Sequence, residues 1–255
     1  MSRIELVYPI LGLLLFTHSM VALSSECTAK SGDKITPLLE LYTSEGCSSC
    51  PPADKWLSSL PASPEQFVPL AFHVDYWDYI GWKDRFSKAQ YSDRQRKTAA
   101  FNHAGFVYTP QFVFNGRDFK GWDNSRLNSF IKKQQPAQVN VALEAIENAT
   151  GAITLKATAT TSNATYAKNT DVFIALYENK LVSEVKAGEN NGRELKHDYV
   201  VRELFGAYQM NNQNNFNKNF TLDAAWKTKD AGAVIFVQDA TNGQILQSLQ
   251  LAFCK

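Results

Sequence analysis

Pro37-Leu38-Leu39-Glu40-Leu41-Tyr42-Thr43-Ser44-Glu45-Gly46-Cys47-Ser48-Ser49-Cys50-Pro51-Pro52 is the stretch on which the reading of the fold turns. Residues 37–43 form a short apolar run of strand length. A turn with two thiols follows, and then two prolines. Proline costs little in the first turn of a helix, where the N–H groups have no helical partner, and would break the helix deeper in. The stretch therefore predicts strand, turn and helix, with the helix over residues 53–60 and Trp56, Leu57 and Leu60 on one face. Two thiols separated by two residues at such a junction can interconvert between dithiol and disulfide. With Cys47 at the helix N-cap, its sulfur would face unpaired backbone N–H groups and the positive end of the helix dipole. Both favour the thiolate. Cys47 is then the nucleophile, and Cys50, one turn on, resolves a mixed disulfide. The pair also fits two other chemistries. It could be a static bridge stapling the helix start, or a copper(I) site, because soft thiolates bind that ion and His73 or His103 could complete it. Zinc usually takes four ligands. Cys27, Cys254, His73, His103 and His197 stand at no zinc spacing, so no metal and no cofactor is assigned.

The chain has 255 residues with 26 Lys and Arg against 25 Asp and Glu, a formal net charge of +1. The charges are mixed, which excludes the clustered basic footprint of a nucleic-acid binder. Residues 1–24 read as a secretory signal peptide, with Arg3 near the start, an apolar core over 6–16, and small residues at Ala22 and Ser24 before a cleavage point. Eleven apolar residues are too few to span a bilayer, which needs about 20 in a helix. The expectation is a periplasmic or secreted protein with no stable membrane insertion after cleavage. Four cysteines in an exported chain allow two bridges. The local pair leaves Cys27 with Cys254, a structural disulfide candidate that would tie the two termini together.

Further along, residues 67–74 and 111–114 read as strands, 119–122 as a fourth, 84–102 as a long polar helix, and 125–134 as a helix ending before Pro136. This alternation predicts an α/β layer with some parallel pairing. After Pro136 the pattern changes to short alternating segments (138–145, 152–159, 171–177, 199–205, 217–222, 233–238 and 244–251) separated by turn pairs such as Asn242-Gly243. Their spacing predicts an antiparallel β-sandwich. The expected organisation is a domain over 25–136 followed by a β-rich domain over 137–255, with the Asn- and Gln-rich residues 210–219 as an exposed loop.

Two further motifs bear on the site. Tyr108-Thr109-Pro110-Gln111-Phe112-Val113-Phe114 places a proline at the start of a strand, where it can be cis. Paired with the upstream Cys-x-x-Cys, it resembles the cis-proline loop of the thioredoxin superfamily. The resemblance implies an α/β thioredoxin-like first domain, Pro110 as the cis-proline and Thr109 as a substrate contact. Leu41 stands where that superfamily keeps a buried acid, and the neighbouring Glu40 would face the other side of the strand. His73-Val74-Asp75-Tyr76-Trp77-Asp78-Tyr79-Ile80-Gly81-Trp82-Lys83-Asp84 should lie at the carboxyl ends of the strands, where open α/β sheets bind ligands. Trp77 and Trp82 are its candidate substrate-binding residues; the alternative is a loop that covers the core. These runs, with Arg94-Gln95-Arg96 and Gly188-Glu189-Asn190-Asn191-Gly192-Arg193 followed by His197, Val200, Val201 and Arg202, resemble the secreted bacterial family called domain of unknown function 1223. Glu189, Arg193, His197 and Arg202 read as a structural hairpin cluster. The expected function is an exported thiol–disulfide oxidoreductase acting on a protein or small thiol/disulfide substrate. The alternatives are a copper(I)-handling protein and a binding module with a structural disulfide.

Overall fold

The structure, a computed structural model, describes residues 25–254 apart from 62, 134, 149, 150, 212, 223 and 224. The expected leader over 1–24 lies outside the described residues. In chain order the elements are β1 (Ser25–Lys30), β2 (Leu38–Thr43), α1 (Pro51–Ser59), β3 (Val68–His73), α2 (Ala89–Phe101), β4 (Gln111–Phe114), β5 (Arg117–Asp118), α3 (Asn124–Ile131), β6 (Asn140–Glu147) and β7 (Ala152–Thr160). There follow α4 (Tyr166–Asn169), β8 (Thr170–Glu178), β9 (Leu181–Glu184), β10 (Glu194–His197), β11 (Val200–Gln209), β12 (Gln213–Thr221), β13 (Ala231–Asp239) and β14 (Ile245–Ala252).

The expected sequence of a thioredoxin-like α/β domain and then a separate β-sandwich is overturned by the sheets. Eight strands form one sheet in the order β14-β13-β8-β11-β3-β2-β4-β5, so strands from both halves of the chain share it. A four-stranded antiparallel sheet, β1-β6-β7-β12, packs on it, and β9 and β10 form a separate hairpin. The seam between the halves is the parallel contact of β11 with β3, where the Ala71 N–H donates to Tyr199 O at 2.8 Å. The alternating patterns of both halves were readable, but alternation does not say which strand lies beside which.

Side-chain alternation divides the core. One face of the large sheet carries Leu38, Tyr42, Leu70 and Phe72 from the first half and Phe173, Ala175, Val234 and Phe236 from the second, with Tyr91 of α2 upon them. On the other face Leu39, Leu41 and Ala71 meet Ala53 and Leu57 of α1 and Leu127 of α3. Alongside, Ile174, Leu176 and Ile235 meet Leu143, Leu155 and Ala157 of the smaller sheet. Glu40 lies opposite to Leu41, as the pattern predicts. It is fully buried, and its Oε1 accepts from Arg94 Nε of α2 at 2.7 Å and from Tyr42 Oη at 3.1 Å. The Arg94 guanidinium also donates to Gln238 at 3.2 Å, and it lies 5.6, 5.0 and 4.7 Å from the ring centres of Phe72, Phe173 and Phe236. Burial works against the Arg94 charge, but the adjacent Glu40 holds its pKa above the usual value.

Three boundaries differ from the sequence expectation. The helix expected from residue 84 begins at Ala89, because Asp84 is a side-chain hydrogen-bond hub and residues 84–88 form the turn it organises. The expected loop over 210–219 is mostly strand β12, an edge strand paired with β7. Its exposed Asn and Lys hid a period of two in which Phe216 and Phe220 point toward the core. The expected strand over 119–122 does not form: the two-residue strand β5 ends before it, at Asp118, and Phe119 packs in the core instead.

Glu40→Gln leaves a buried guanidinium without its counter-charge, so urea denaturation should show a loss of about 3–5 kcal/mol. The double change Glu40→Leu with Arg94→Met removes both charges and should recover most of that loss. Equal destabilisation by the single and double changes would show that packing, not charge pairing, sets the cost.

Candidate functional site

Four segments converge where β2 and β3 end. The first is the turn over 44–50, leading from β2 into α1. Cys47 and Cys50 form a disulfide there with a Cα–Cα distance of 5.4 Å. The Cys47 N–H donates to Ser44 O and the Cys50 N–H to Cys47 O, each at 3.2 Å, so the segment is two consecutive tight turns. Pro51 and Pro52 occupy the first helical positions, and the N-cap is Cys50 rather than the expected Cys47. The prolines carry no N–H, and those of Ala53 and Asp54 turn back to Cys50 O at 2.9 and 3.1 Å. Those donors are thus spent on the helix itself and not on the sulfur. Cys47 Sγ lies 3.3 Å from Ser49 Oγ instead. Both cysteines are buried while Ser48 and Ser49 between them are exposed.

The second segment is the aromatic loop over 74–88. Trp77 Nε1 donates to Thr109 Oγ1 at 2.7 Å, and Trp82 Nε1 to Glu45 Oε2 at 2.7 Å. Both indole N–H groups therefore point inward to fix the site. A Cβ on Gly46 would stand only 3.1 Å from Trp77 Cβ, so the residue before Cys47 has to be small. The third segment holds Thr109 and Pro110, both half-buried, joined by a cis peptide bond. Trp77 thus spans from the cysteine turn to the Thr109 hydroxyl.

The fourth segment is the tip of the β9–β10 hairpin, which acts as a clamp. The Asn190 side-chain amide donates to Glu45 O at 2.8 Å and Cys47 O at 3.0 Å. Glu189 accepts from the Ser48 N–H at 3.0 Å, and hydrogen bonding by the Ser48 side chain first, and then by this N–H, holds its carboxyl below the usual range. Gly188 supplies the positive φ of 69° that turns the tip, and a Cβ there would meet Trp82 Cβ at 3.3 Å. Arg85 fixes the base of the hairpin, donating to Ser183 Oγ at 3.2 Å and Val182 O at 2.8 Å.

Around Glu45 and Asp54, the buried acids that flank the disulfide in sequence, the fold gathers a group of titratable side chains that sequence reading did not assemble. It comprises Glu45, Asp54, His73, Asp84 and His197. His73 Nδ1 lies 2.6 Å from Asp84 Oδ2, and Asp84 also accepts from the N–H groups of Glu45 and Phe86 at 2.9 Å. Burial works against the Asp84 charge, but His73 and these donors hold its carboxyl below the usual range. His197 Nδ1 lies 3.3 Å from Asp54 Oδ1, and its Nε2 lies 3.6 Å from Glu45 Oε1. Burial would lower the His197 pKa; the adjacent carboxylates of Asp54 and Glu45 outweigh that and raise it to about 10. Asp54 Oδ2 accepts from Thr43 Oγ1 at 2.8 Å. His73, His197 and Asp54 each bring one ligand-type atom within 4.8 Å of the others. The available signal was positional, since His73 ends β3, His197 ends β10, and Glu45 and Asp54 bracket the cysteines. The fold moves His197 out of the expected hairpin cluster and into this group. Arg202 pairs instead with Glu178, and His103 is exposed beyond the end of α2.

Cys27 and Cys254 come together as free thiols, the Cys254 N–H donating to Cys27 Sγ at 3.0 Å. Burial is the main cause that pushes the Cys27 thiol up to about 11.

The family described as "Protein of unknown function (DUF1223)" matches residues 38–238. The chain belongs to that family. The matched span contains the cysteine turn, the aromatic loop and the hairpin clamp. No curated protein matches the chain. Among solved structures it is similar to the protein AGR_C_4864 from Agrobacterium tumefaciens, a structural genomics target. Identity is 24% and the TM-score 0.64, over 88% of this chain and 97% of that one. It is also similar to HBP35 of Porphyromonas gingivalis, with 18% identity and a TM-score of 0.61, over 88% of this chain and 76% of that one. These likenesses show the fold alone.

Asn190→Ala removes both side-chain bonds of the clamp. At about 1 kcal/mol per bond, it should speed reduction of Cys47–Cys50 by a small thiol about tenfold or more, read by stopped alkylation and mass spectrometry. An unchanged rate would show that the hairpin tip does not control access to the sulfurs.

Proposed function

We propose that this protein is an exported thiol–disulfide oxidoreductase that cycles Cys47 and Cys50 between disulfide and dithiol, with a protein or small thiol/disulfide as substrate. The observation that carries the reading is the position of the disulfide, at a helix start and bracketed in sequence by the buried acids Glu45 and Asp54. Clusters of buried titratable groups gather at functional sites more than elsewhere. The bridge closes a loop of only a few residues, so as a staple it would stabilise by about 2 kcal/mol, less than half of what a 100-residue loop provides.

The reaction balances as follows. A substrate thiolate attacks Cys47 Sγ, the Cys47–Cys50 bond breaks, and Cys50 leaves as a thiolate that takes up a proton. A second substrate thiolate then attacks the substrate sulfur of the mixed disulfide and releases Cys47, which also takes up a proton. The substrate leaves as a disulfide, having lost two electrons and two protons. The reverse sequence reduces a substrate disulfide, with Cys47 attacking and Cys50 resolving. Ser49 Oγ, 3.3 Å from Cys47 Sγ, is the nearest hydroxyl to donate to a Cys47 thiolate. Because Cys47 is 1% exposed, the clamp of Glu189 and Asn190 must lift before a substrate thiol can reach it. Trp77, Thr109 and Pro110 then form one wall of the opened site. Trp82 serves it indirectly by orienting Glu45.

Burial of both cysteines favours a second reading, in which the bridge only rigidifies the turn. The reduction potential separates the two. A catalytic pair should equilibrate with glutathione or thioredoxin between about −270 and −120 mV, whereas a potential below about −300 mV would sink the redox reading.

Among the described residues no helix is long and apolar enough to cross a membrane. Export predicts that the protein recovered from an expressing bacterium begins at Ser25 and that Cys27 and Cys254 become bridged. Amino-terminal sequencing and alkylation before and after reduction read both outcomes. An intact leader with two free thiols in the extracytoplasmic fraction would overturn this part of the reading.

A further inference from the structure

Three buried carboxylates, Glu45, Asp54 and Asp84, surround two buried imidazoles, His73 and His197, with their rings edge to face at 4.9 Å between centres. Buried charges are paired or coordinate metals. The Asp84 carboxylate engages His73 Nδ1 at 2.6 Å and leaves Nε2 as the ring's free coordinating atom. That atom is buried with no hydrogen-bond partner. The His197–Asp54 contact is also loose for a charged bond. It measures 3.3 Å, where a charged N–H···O bond is ordinarily about 2.7–2.9 Å. A separation of about 3.3 Å is what two ligands at roughly 2.0–2.1 Å from a tetrahedral ion would show.

We propose that His73 Nε2, His197 Nδ1 and Asp54 Oδ1 bind one divalent cation of the zinc class between the ends of β3 and β10 and the start of α1. The surroundings are arranged as metal sites require, with each ligand held by an outer partner. Asp84 holds His73 by its Nδ1 at 2.6 Å, and Thr43 holds the second oxygen of Asp54 at 2.8 Å. With His197 Nδ1 on the metal, its Nε2 carries the proton and faces Glu45 Oε1 at 3.6 Å, an oxygen otherwise buried without a partner. Glu45 is in turn oriented by Trp82. The Phe86 ring closes one side, 5.3 Å from the His73 ring and 6.1 Å from the His197 ring. Two imidazoles and one carboxylate select borderline transition cations over calcium and magnesium, which prefer all-oxygen shells. Three protein ligands leave a fourth position for water or an exogenous ligand. The disulfide sulfurs are not part of the set, so the site stands independently of the redox reading.

The test uses the mature chain, stripped with a chelator and titrated with Zn²⁺ against a chromophoric competitor. The expected result is saturation at one Zn²⁺ per chain, with a thermal midpoint that rises up to one equivalent and no further. His73→Gln and His197→Gln should each weaken binding at least 100-fold, and Asp84→Asn about tenfold. His103→Gln, at the exposed histidine, should leave affinity unchanged. Should the histidine variants misfold, Co²⁺ on the wild-type protein decides the matter. Visible absorption of four-coordinate intensity without a thiolate charge-transfer band supports the site. A thiolate band, uptake that requires prior reduction of Cys47–Cys50, or no stoichiometric uptake of Zn²⁺, Co²⁺, Ni²⁺ or Fe²⁺ would overturn it.

Discussion

The fold depends on Arg94 of α2 finding Glu40 of β2 inside the core. A guanidinium and a carboxylate at 2.7 Å, both buried, are tolerable only because each satisfies the other. Arg94 is also ringed by Phe72 from the first half of the chain and by Phe173 and Phe236 from the second. One side chain thus registers α2 against β2, β3, β8 and β13 together. The central sheet is continuous across the chain because this residue requires partners from both halves, and removing its counter-charge would expose the whole seam to a buried, unpaired ion.

That registration determines what the carboxyl ends of β2 and β3 can do. With α2 fixed, the loop leading into it from β3 has to turn sharply over the carboxyl ends of the strands, and Asp84 is the hub of the turn. Its carboxylate holds His73 at the end of β3 and the backbone of Glu45 beyond β2. The second half of the chain then supplies the β9–β10 hairpin, which delivers His197 beneath the cysteine turn and Asn190 upon it. The cysteine turn is therefore tied on one side to the buried polar layer through Glu45 and on the other to the hairpin tip through Asn190 and Glu189. In the proposed reaction the hairpin tip would have to move before a thiol could reach the sulfurs.

The polar layer and the disulfide pose separate chemical questions. Glu45 belongs to both, since its backbone oxygen receives the clamp while its carboxylate faces His197. A cation bound by His73, His197 and Asp54 would tie the ends of β3 and β10 to the start of α1, the helix that follows the cysteine turn. The likeness to AGR_C_4864 and HBP35 supplies the architecture that makes this juxtaposition possible and says nothing of its chemistry.

The sequence by itself determined the local elements. Pro51 and Pro52 marked the start of α1, the apolar runs marked β2 and β3, and the alternation after Pro136 marked a β-rich second half. It also determined the family, through the cysteine, aromatic and hairpin motifs. These signals are legible because propensity, periodicity and short spacing act between near neighbours. The sheet order and the buried layer were decided only in three dimensions. Val200 beside Ala71, Arg94 against Phe236, and His197 beside Asp54 join residues far apart in the chain. No period or spacing encodes such contacts, because burial and charge pairing select them only after the chain has closed on itself. For the same reason a lone histidine at the end of a short strand read as part of a hairpin, when its place is in the core of the site.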